Sequence, residues 1–149
     1  MENKKSPKSV FVQGAIQPAF IAESLQKHQH KHDIGAHSMF LGQVRADEKE
    51  GQKVSAIVYE AYEDMANETF HQIREDAFAR FNMTCMHIHH SLGQVNAGEI
   101  CLFVFTSSAH RQEAMQACEY VVERIKKDAQ VWGREIMDSG DAVWKVNRG

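Results

Sequence analysis

The run Thr106-Ser107-Ser108-Ala109-His110-Arg111 leaves a strongly apolar segment and enters a stretch with helical periodicity. The first backbone N–H groups of a helix have no partner within it, and the aligned peptide dipoles put partial positive charge at that end. A histidine and an arginine added there suit an oxyanion such as phosphate. The same pair would equally serve as a capping histidine and an exposed arginine, and residue chemistry alone does not separate the two. Arg45 opens a charged loop directly after an apolar strand, the usual place for a binding residue on a rigid scaffold; an isolated arginine at such a point is more often a solvated one. Lys126 and Lys127 close the helix that Arg111 begins, where lysines complement the dipole. A lysine partly desolvated against Val122 and Trp132 would instead be able to act as a base or nucleophile, and Lys126, following Ile125, suits that better.

Nine histidines and three cysteines raise the question of metal. His28-x-His30-x-His32 and His87-x-His89-His90 carry imidazoles suited to a transition ion, yet no Cys, Asp or Glu stands at a customary zinc spacing beside either cluster. In a strand His87 and His89 share one face and His90 takes the other. Solvated or hydrogen-bonded histidines are the reading adopted, with no metal and no cofactor. Cys85, Cys101 and Cys118 are odd in number, far apart and set in apolar surroundings, which is the pattern of structural thiols rather than of a disulfide framework.

The elements that must position these groups follow from the pattern of the chain. Its 149 residues suffice for one domain, 43% hydrophobic and 25% charged, with a net charge of −3 that gives no bulk attraction to nucleic acid or an anionic membrane. Residues 1–8 are polar and basic and read as a disordered leader before a single domain at 9–149. With neither a signal peptide nor an apolar run near the ~20 residues of a membrane span, the expected location is cytoplasmic. Val10–Gln13 reads as a short strand, and Gln17-Pro18 opens a helix to about His28. Ala36–Val44 and Val54–Ala61 read as strands around a charged loop that turns at Gly51. Ala66, Phe70, Ile73, Ala77 and Phe81 repeat at helical spacing within Glu63–Phe81. Met83–Leu92 is strand-like, Gly93–Gly98 a turn, and Glu99–Thr106 is apolar on both faces, hence a central strand. Ser107 and Ser108 are placed to cap the next helix. Its apolar stripe comprises Ala114, Ala117, Cys118, Val121, Val122 and Ile125. Two short strands around Glu135 and Trp144 flank a turn at Ser139-Gly140-Asp141. The order β-α-β-β-α-β-β-α-β-β argues for an α+β fold with three helices and a mixed, largely antiparallel sheet.

Taken in order, these segments resemble the large, catalytic subunit of molybdopterin synthase. Phe40-Leu41-Gly42-Gln43-Val44-Arg45 is similar to that family's F-x-G-x-V-R. Tyr59-Glu60-Ala61-Tyr62 with Met65-Ala66 is similar to its L-E-Y-E-A-Y-x-x-M-A stretch. His90-Ser91-Leu92-Gly93 with Gly98-Glu99 resembles its H-R-I-G turn, and Ser108-Ala109-His110-Arg111 its S-x-H-R signature. Glu123-Arg124-Ile125-Lys126 followed by Trp132, Glu135 and Trp144 resembles its lysine-bearing helix and tail. The resemblance spans about residues 36 to 148 and implies an α/β-hammerhead type of fold and a homodimer of large subunits within a heterotetramer. It also implies a small ubiquitin-like partner whose C-terminal thiocarboxylate donates sulfur, and the substrate precursor Z, a cyclic pyranopterin monophosphate that becomes the molybdopterin dithiolene. Carried over residue by residue, Lys126 is catalytic, and Arg45, His110 and Arg111 hold the pterin phosphate and the donor carboxyl terminus. Phe40 lines the pocket, and Arg148 corresponds to a late basic residue of it. The sulfur arrives already activated, so this sulfurtransferase chemistry needs no cofactor.

One departure stands out. The family commonly carries a lysine after the tryptophan, where this chain has Gly133, and Arg134, one position on, points to the opposite face of a strand. A non-catalytic homologue that keeps the partner is therefore a rival reading, as is a metal-binding protein built on the histidine clusters. Geometry adds a further expectation. Fifteen positions separate Arg111 from Lys126 on one helix, about 22 Å along its axis. A pterin monophosphate does not bridge that distance, so if both ends serve one reaction they come from two protomers meeting across a two-fold interface.

Overall fold

The computed structural model describes residues 8–145. Residues 1–7 of the expected leader and the candidate Arg148 lie outside the described residues. Strands β1 (Phe11–Gln13), β2 (Ala36–Gln43), β3 (Glu48–Lys49), β4 (Gln52–Ala61), β5 (Cys85–Asn96), β6 (Ile100–Ser108), β7 (Val131–Met137) and β8 (Ala142–Trp144) alternate with helices α1 (Pro18–His28), α2 (Glu63–Arg80) and α3 (Arg111–Asp128). The main path of the sheet runs β2-β6-β5-β4-β7-β8, with β1 added to β5 and β3 to β4. Among the described residues only the β1–β5 pairing is parallel. The α+β class with three helices and a mixed, largely antiparallel sheet is therefore as expected.

The central place of β6 follows from its composition. Leu102 and Val104 join the core on one face, which receives α2 and α3 through Ala66, Phe70, Ile73, Cys118, Val121 and Ile125. Phe103 and Phe105 pack with Ile16 on the other, where Ile21 and Leu25 of α1 close over them. A strand buried on both faces has no polar alternation to show.

Three expectations are corrected. Gly93–Gly98 is not a turn: β5 continues through Gly93, whose φ of +80° lets the strand kink without a Cβ penalty. Upstream of that kink β5 pairs with β6 and β1, and downstream with β4, so the actual turn is confined to Ala97-Gly98. Ser107 and Ser108 do not cap a helix; both belong to β6, and the Ser108 hydroxyl donates to the Asn82 carbonyl at 2.7 Å. The loop after Arg45 contains the short β3, folded on β4 by a two-residue turn in which Glu50 and Gly51 both have positive φ.

β3 also places a charge. The Lys49 ammonium donates to the carboxylate of Glu135, a buried residue of β7. Removing the ammonium leaves that carboxylate desolvated beside an apolar sheet. Lys49→Ala is expected to cost about 1–3 kcal/mol in urea unfolding, and adding Glu135→Gln should recover most of it. Equal stability of wild type and Lys49→Ala would show the pair to be idle.

Candidate active site

The sheet and α3 create two separate sites, one at each end of the helix. At its start Gly35 donates its N–H to the Ser108 carbonyl at 2.9 Å, and a Cβ at Gly35 would run into the Ala109 carbonyl oxygen. Glycine thus lets the entry of β2 press against the β6–α3 connection. The Thr106 hydroxyl donates to the Ala114 carbonyl at 2.7 Å and ties the first turns of α3 to β6. His110 is the N-cap residue with extended backbone and makes no side-chain capping bond, so the capping role weighed for it is not observed. His110 and Arg111 instead line a broad cavity of about 830 Å³ with Gly35, Ala36, Met115 and Gln116. Unpaired helix N–H groups, the dipole and a guanidinium converge there on one open surface.

The other end of α3 meets the junction where β4, β5, β6 and β7 come together. A cavity of about 200 Å³ is lined by Tyr59, His90, Cys101, Lys126, Trp132, Gly133 and Lys145 among others. α3 is braced by Arg124, which donates to Asp76 of α2 at 2.8 Å, to Asp128 at 2.7 Å and to the Tyr120 hydroxyl at 2.6 Å. These bonds to Arg124 hold the Asp76 carboxyl below its usual range. Partial desolvation in the cavity lowers the pKa of Lys126, and the neighbouring charge of Lys145 lowers it further, against the opposing influence of Cys101 and Glu123. Burial pushes the Tyr59 phenol up, reinforced by its hydrogen bond with Cys101. A lysine whose neutral form is made more accessible, in a walled cavity, is suited to proton relay and to stabilising a developing oxyanion.

His90 forms part of that wall, packed edge-on against Phe11 and Tyr59. Its Nδ1–H donates to the Ser91 carbonyl at 2.8 Å, which leaves Nε2 as an acceptor in the neutral ring. Burial pushes its pKa down to about 4, with Lys126 adding to the shift. The unfolded chain binds a proton here near pH 6.5 and the folded chain does not, so stability is fully present above 6.5 and falls as the pH drops toward 4. His90→Gln should therefore lose about 2 kcal/mol less than wild type between pH 7 and pH 5 in chemical unfolding. Identical losses would contradict the assignment.

The remaining candidates disperse. Phe40 is partly buried against the core and is not among the residues lining either cavity. Arg45 is exposed, paired with Asp47 at 3.3 Å, and follows the end of β2 opposite to His110 and Arg111. Arg134 turns away from the Lys126 cavity and lies over the Trp144 ring at 6.0 Å. The cysteines are buried and free, but Cys101 faces the Lys126 cavity rather than serving packing alone. His28 of the first histidine cluster meets His87 of the second, Nε2 to Nε2 at 3.0 Å, while His30 and His32 are exposed. His89 stacks on Phe103 on that same face, and His90 takes the other. Among the described residues, no three His, Cys, Asp or Glu side chains gather in a manner able to hold a metal ion. In the sequence Tyr59 stood only within a family motif, His90 within a motif and a histidine cluster, and Cys101 as a structural thiol; none was assigned to the site, and Lys145 was not singled out. Lys145 had a signal: the hairpin register that sets Arg134 opposite Trp144 puts 145 opposite 133.

Comparison with known proteins gives this arrangement its context. The family model described as MoaE protein matches residues 15–128. The chain belongs to the MoaE family. Among relatives, the molybdopterin synthase catalytic subunit of Pyrococcus abyssi is 42% identical over 103 residues, 69% of this chain and 69% of that protein. The protein of the same name from Oryza sativa subsp. indica is 40% identical over 121 residues, 80% of this chain, which spans 62% of the rice protein's length. The crystal structure of molybdopterin synthase from Staphylococcus aureus matches with a TM-score of 0.81 at 30% identity, covering 97% of this chain and 99% of that one. The complex of subunits 1 and 2 of molybdopterin-converting factor from Helicobacter pylori matches with a TM-score of 0.78, covering 93% and 90%; at 20% identity it shows likeness of fold. Within this MoaE-family fold, α3 presents its two basic ends at opposite edges of the β2–β6 pair.

Proposed function

We propose that this chain is the catalytic subunit of a molybdopterin synthase, with residues 9–149 acting as one domain. It transfers sulfur from the C-terminal thiocarboxylate of a small ubiquitin-like subunit to precursor Z, building the dithiolene of molybdopterin. The observation that carries this reading is Lys126, partly desolvated at the rim of a cavity at the end of α3, in a chain of the MoaE family. Exposed Tyr62, Trp132 and Trp144 line a neighbouring groove that shares Trp132 with that cavity, and such an apolar patch suits a docked partner whose tail reaches the lysine. Three free thiols and no disulfide among the described residues agree with a cytoplasmic setting.

In this mechanism His110 and Arg111 receive the phosphate of the pterin, while Lys126 serves the thiocarboxyl carbon of the donor. The donor's sulfur attacks an electrophilic carbon of the pterin side chain and displaces an oxygen substituent from it. The C–O bond breaks as the C–S bond forms, the oxygen leaving with its electron pair and taking up a proton. The acyl–sulfur bond is then cleaved by water, which leaves the donor as a carboxylate and the sulfur on the pterin. Lys126 balances the oxyanion that forms at the acyl carbon and relays its proton. Because His110 and Arg111 lie about 22 Å from Lys126 along α3, each active site combines the two ends from different protomers of a homodimer. Arg45, at the Lys126 end of β2, and Arg148 are the remaining cations proposed to approach the ligands, and Phe40 is proposed to border the pterin. The test is conversion of precursor Z by this chain together with a thiocarboxylated small subunit: dithiolene product is expected, and its absence with both substrates intact would overturn the reading.

A further inference from the structure

The Lys126 cavity contains a second ammonium that comes from another strand. Lys145, directly after β8, lines it together with Lys126, and its own backbone N–H donates to the Gly133 carbonyl at 2.8 Å. β8 thus carries Lys145 to the position across from Gly133. At Gly133 itself a Cβ would stand 2.9 Å from Ile57 Cγ2 and 3.4 Å from Tyr59 Cε1, so the wall of the cavity has no room for a side chain from β7. No carboxylate is among the described residues that line the cavity. Its other polar side chains among the described residues are the Tyr59 phenol, the Cys101 thiol, the Trp132 indole and neutral His90, with Glu123 acting on Lys126 from outside the lining.

We propose that Lys145 is a second anion-binding residue of this site, delivered by β8 because Gly133 leaves no room for a side chain on β7, and that with Lys126 it grips one oxyanionic group of a substrate. The proposal rests on the sulfur-transfer reading and deepens it. Two ammonium groups lining about 200 Å³ repel one another, and an anion bridging them is held by two charge-assisted hydrogen bonds. The recognised chemistry is a phosphate or a (thio)carboxylate: the first would come from the pterin, the second from the donor tail. The lowered pKa of Lys126, caused first by desolvation and also by Lys145, agrees with this proximity.

The experiment compares Lys145→Ala, Lys145→Arg and Gly133→Lys in the intact complex with its small subunit. Lys145→Ala should raise KM about tenfold for one of the two substrates and leave thermal unfolding unchanged; a rise for precursor Z assigns the anion to the phosphate, and a rise for the donor assigns it to the tail. Lys145→Arg should retain most of the affinity. Gly133→Lys, which meets Ile57, should lower stability and fail to restore Lys145→Ala. In parallel, NMR titration of the Lys126 side chain should show its pKa rising when Lys145 is removed. An unchanged KM for both substrates, or an unchanged Lys126 titration, overturns the proposal. If the wild type shows no turnover, the functional reading fails separately, and the Lys126 titration then decides alone whether the two ammonium groups share the cavity.

Discussion

Lys126→Ala is expected to reduce sulfur transfer by about 10²–10⁴-fold while leaving the protein folded. The size follows from the role. A positioned ammonium beside a cavity lined by Trp132, Tyr59 and His90 acts mainly on charge that develops as the acyl–sulfur bond breaks. It should therefore lower kcat far more than it raises KM for either substrate. The fold should survive because the side chain contributes to the cavity rim and not to the apolar stripe of α3, which runs through Ala114, Cys118, Val121, Val122 and Ile125. Lys126→Arg should rescue little, since a guanidinium does not deprotonate in the working range. Single-turnover transfer from a thiocarboxylated partner, with thermal unfolding as control, reads both. Activity of Lys126→Ala within a factor of three of wild type would remove Lys126 from the chemistry.

The second large effect belongs to the other end of α3. Arg111→Ala should raise KM for precursor Z by about 10–100-fold with a smaller change in kcat. The guanidinium acts with the unpaired N–H groups of the first helical turn on a phosphate remote from the reacting carbon, so it supplies binding that is nearly uniform along the reaction. Arg111→Lys should recover only part of the loss, because one ammonium does not reproduce a two-pronged donor. The donor's KM should stay put. A proportionate change in both KM values would instead point to a disturbed α3, whose entry is held by the Thr106–Ala114 bond.

The contrast between these two ends explains what could be read from the chain directly. Helical spacing in α2 and α3 and the two-sided apolarity of β6 encode packing, and packing determines those elements in place. Gly93 misled because two glycines bracketing Gln94 and Asn96 signal a turn, whereas here its positive φ serves a kink that passes β5 from one set of partners to another. Ser107 and Ser108 misled for a similar reason: hydroxyls suggest a cap, but these are buried in the last pairs of β6. Lys126, His110 and Arg111 stood out because charge at a helix end has a local physical meaning. Tyr59, His90, Cys101 and Lys145 acquire theirs only when four strands converge, which depends on register rather than on any residue's neighbours. The substitution at Gly133 was visible as a loss of charge. That Ile57 and Tyr59 occupy the vacated space, and that β8 brings Lys145 alongside, required the three-dimensional arrangement.

The central claim is that one reaction uses the start of α3 from one protomer and its end from the other, and mixed dimers test it most directly. Lys126→Ala and Arg111→Ala proteins, each with little activity when precursor Z is kept below the wild-type KM, are unfolded or dissociated together, reassembled, and separated by distinct affinity tags so that only heterodimers are assayed at that precursor Z concentration with saturating donor. In such a heterodimer one of the two sites is doubly damaged and the other is intact. The account predicts recovery of about half the wild-type rate per dimer. A verified heterodimer that remains as inactive as either parent would contradict it, since both residues would then have to act within a single protomer.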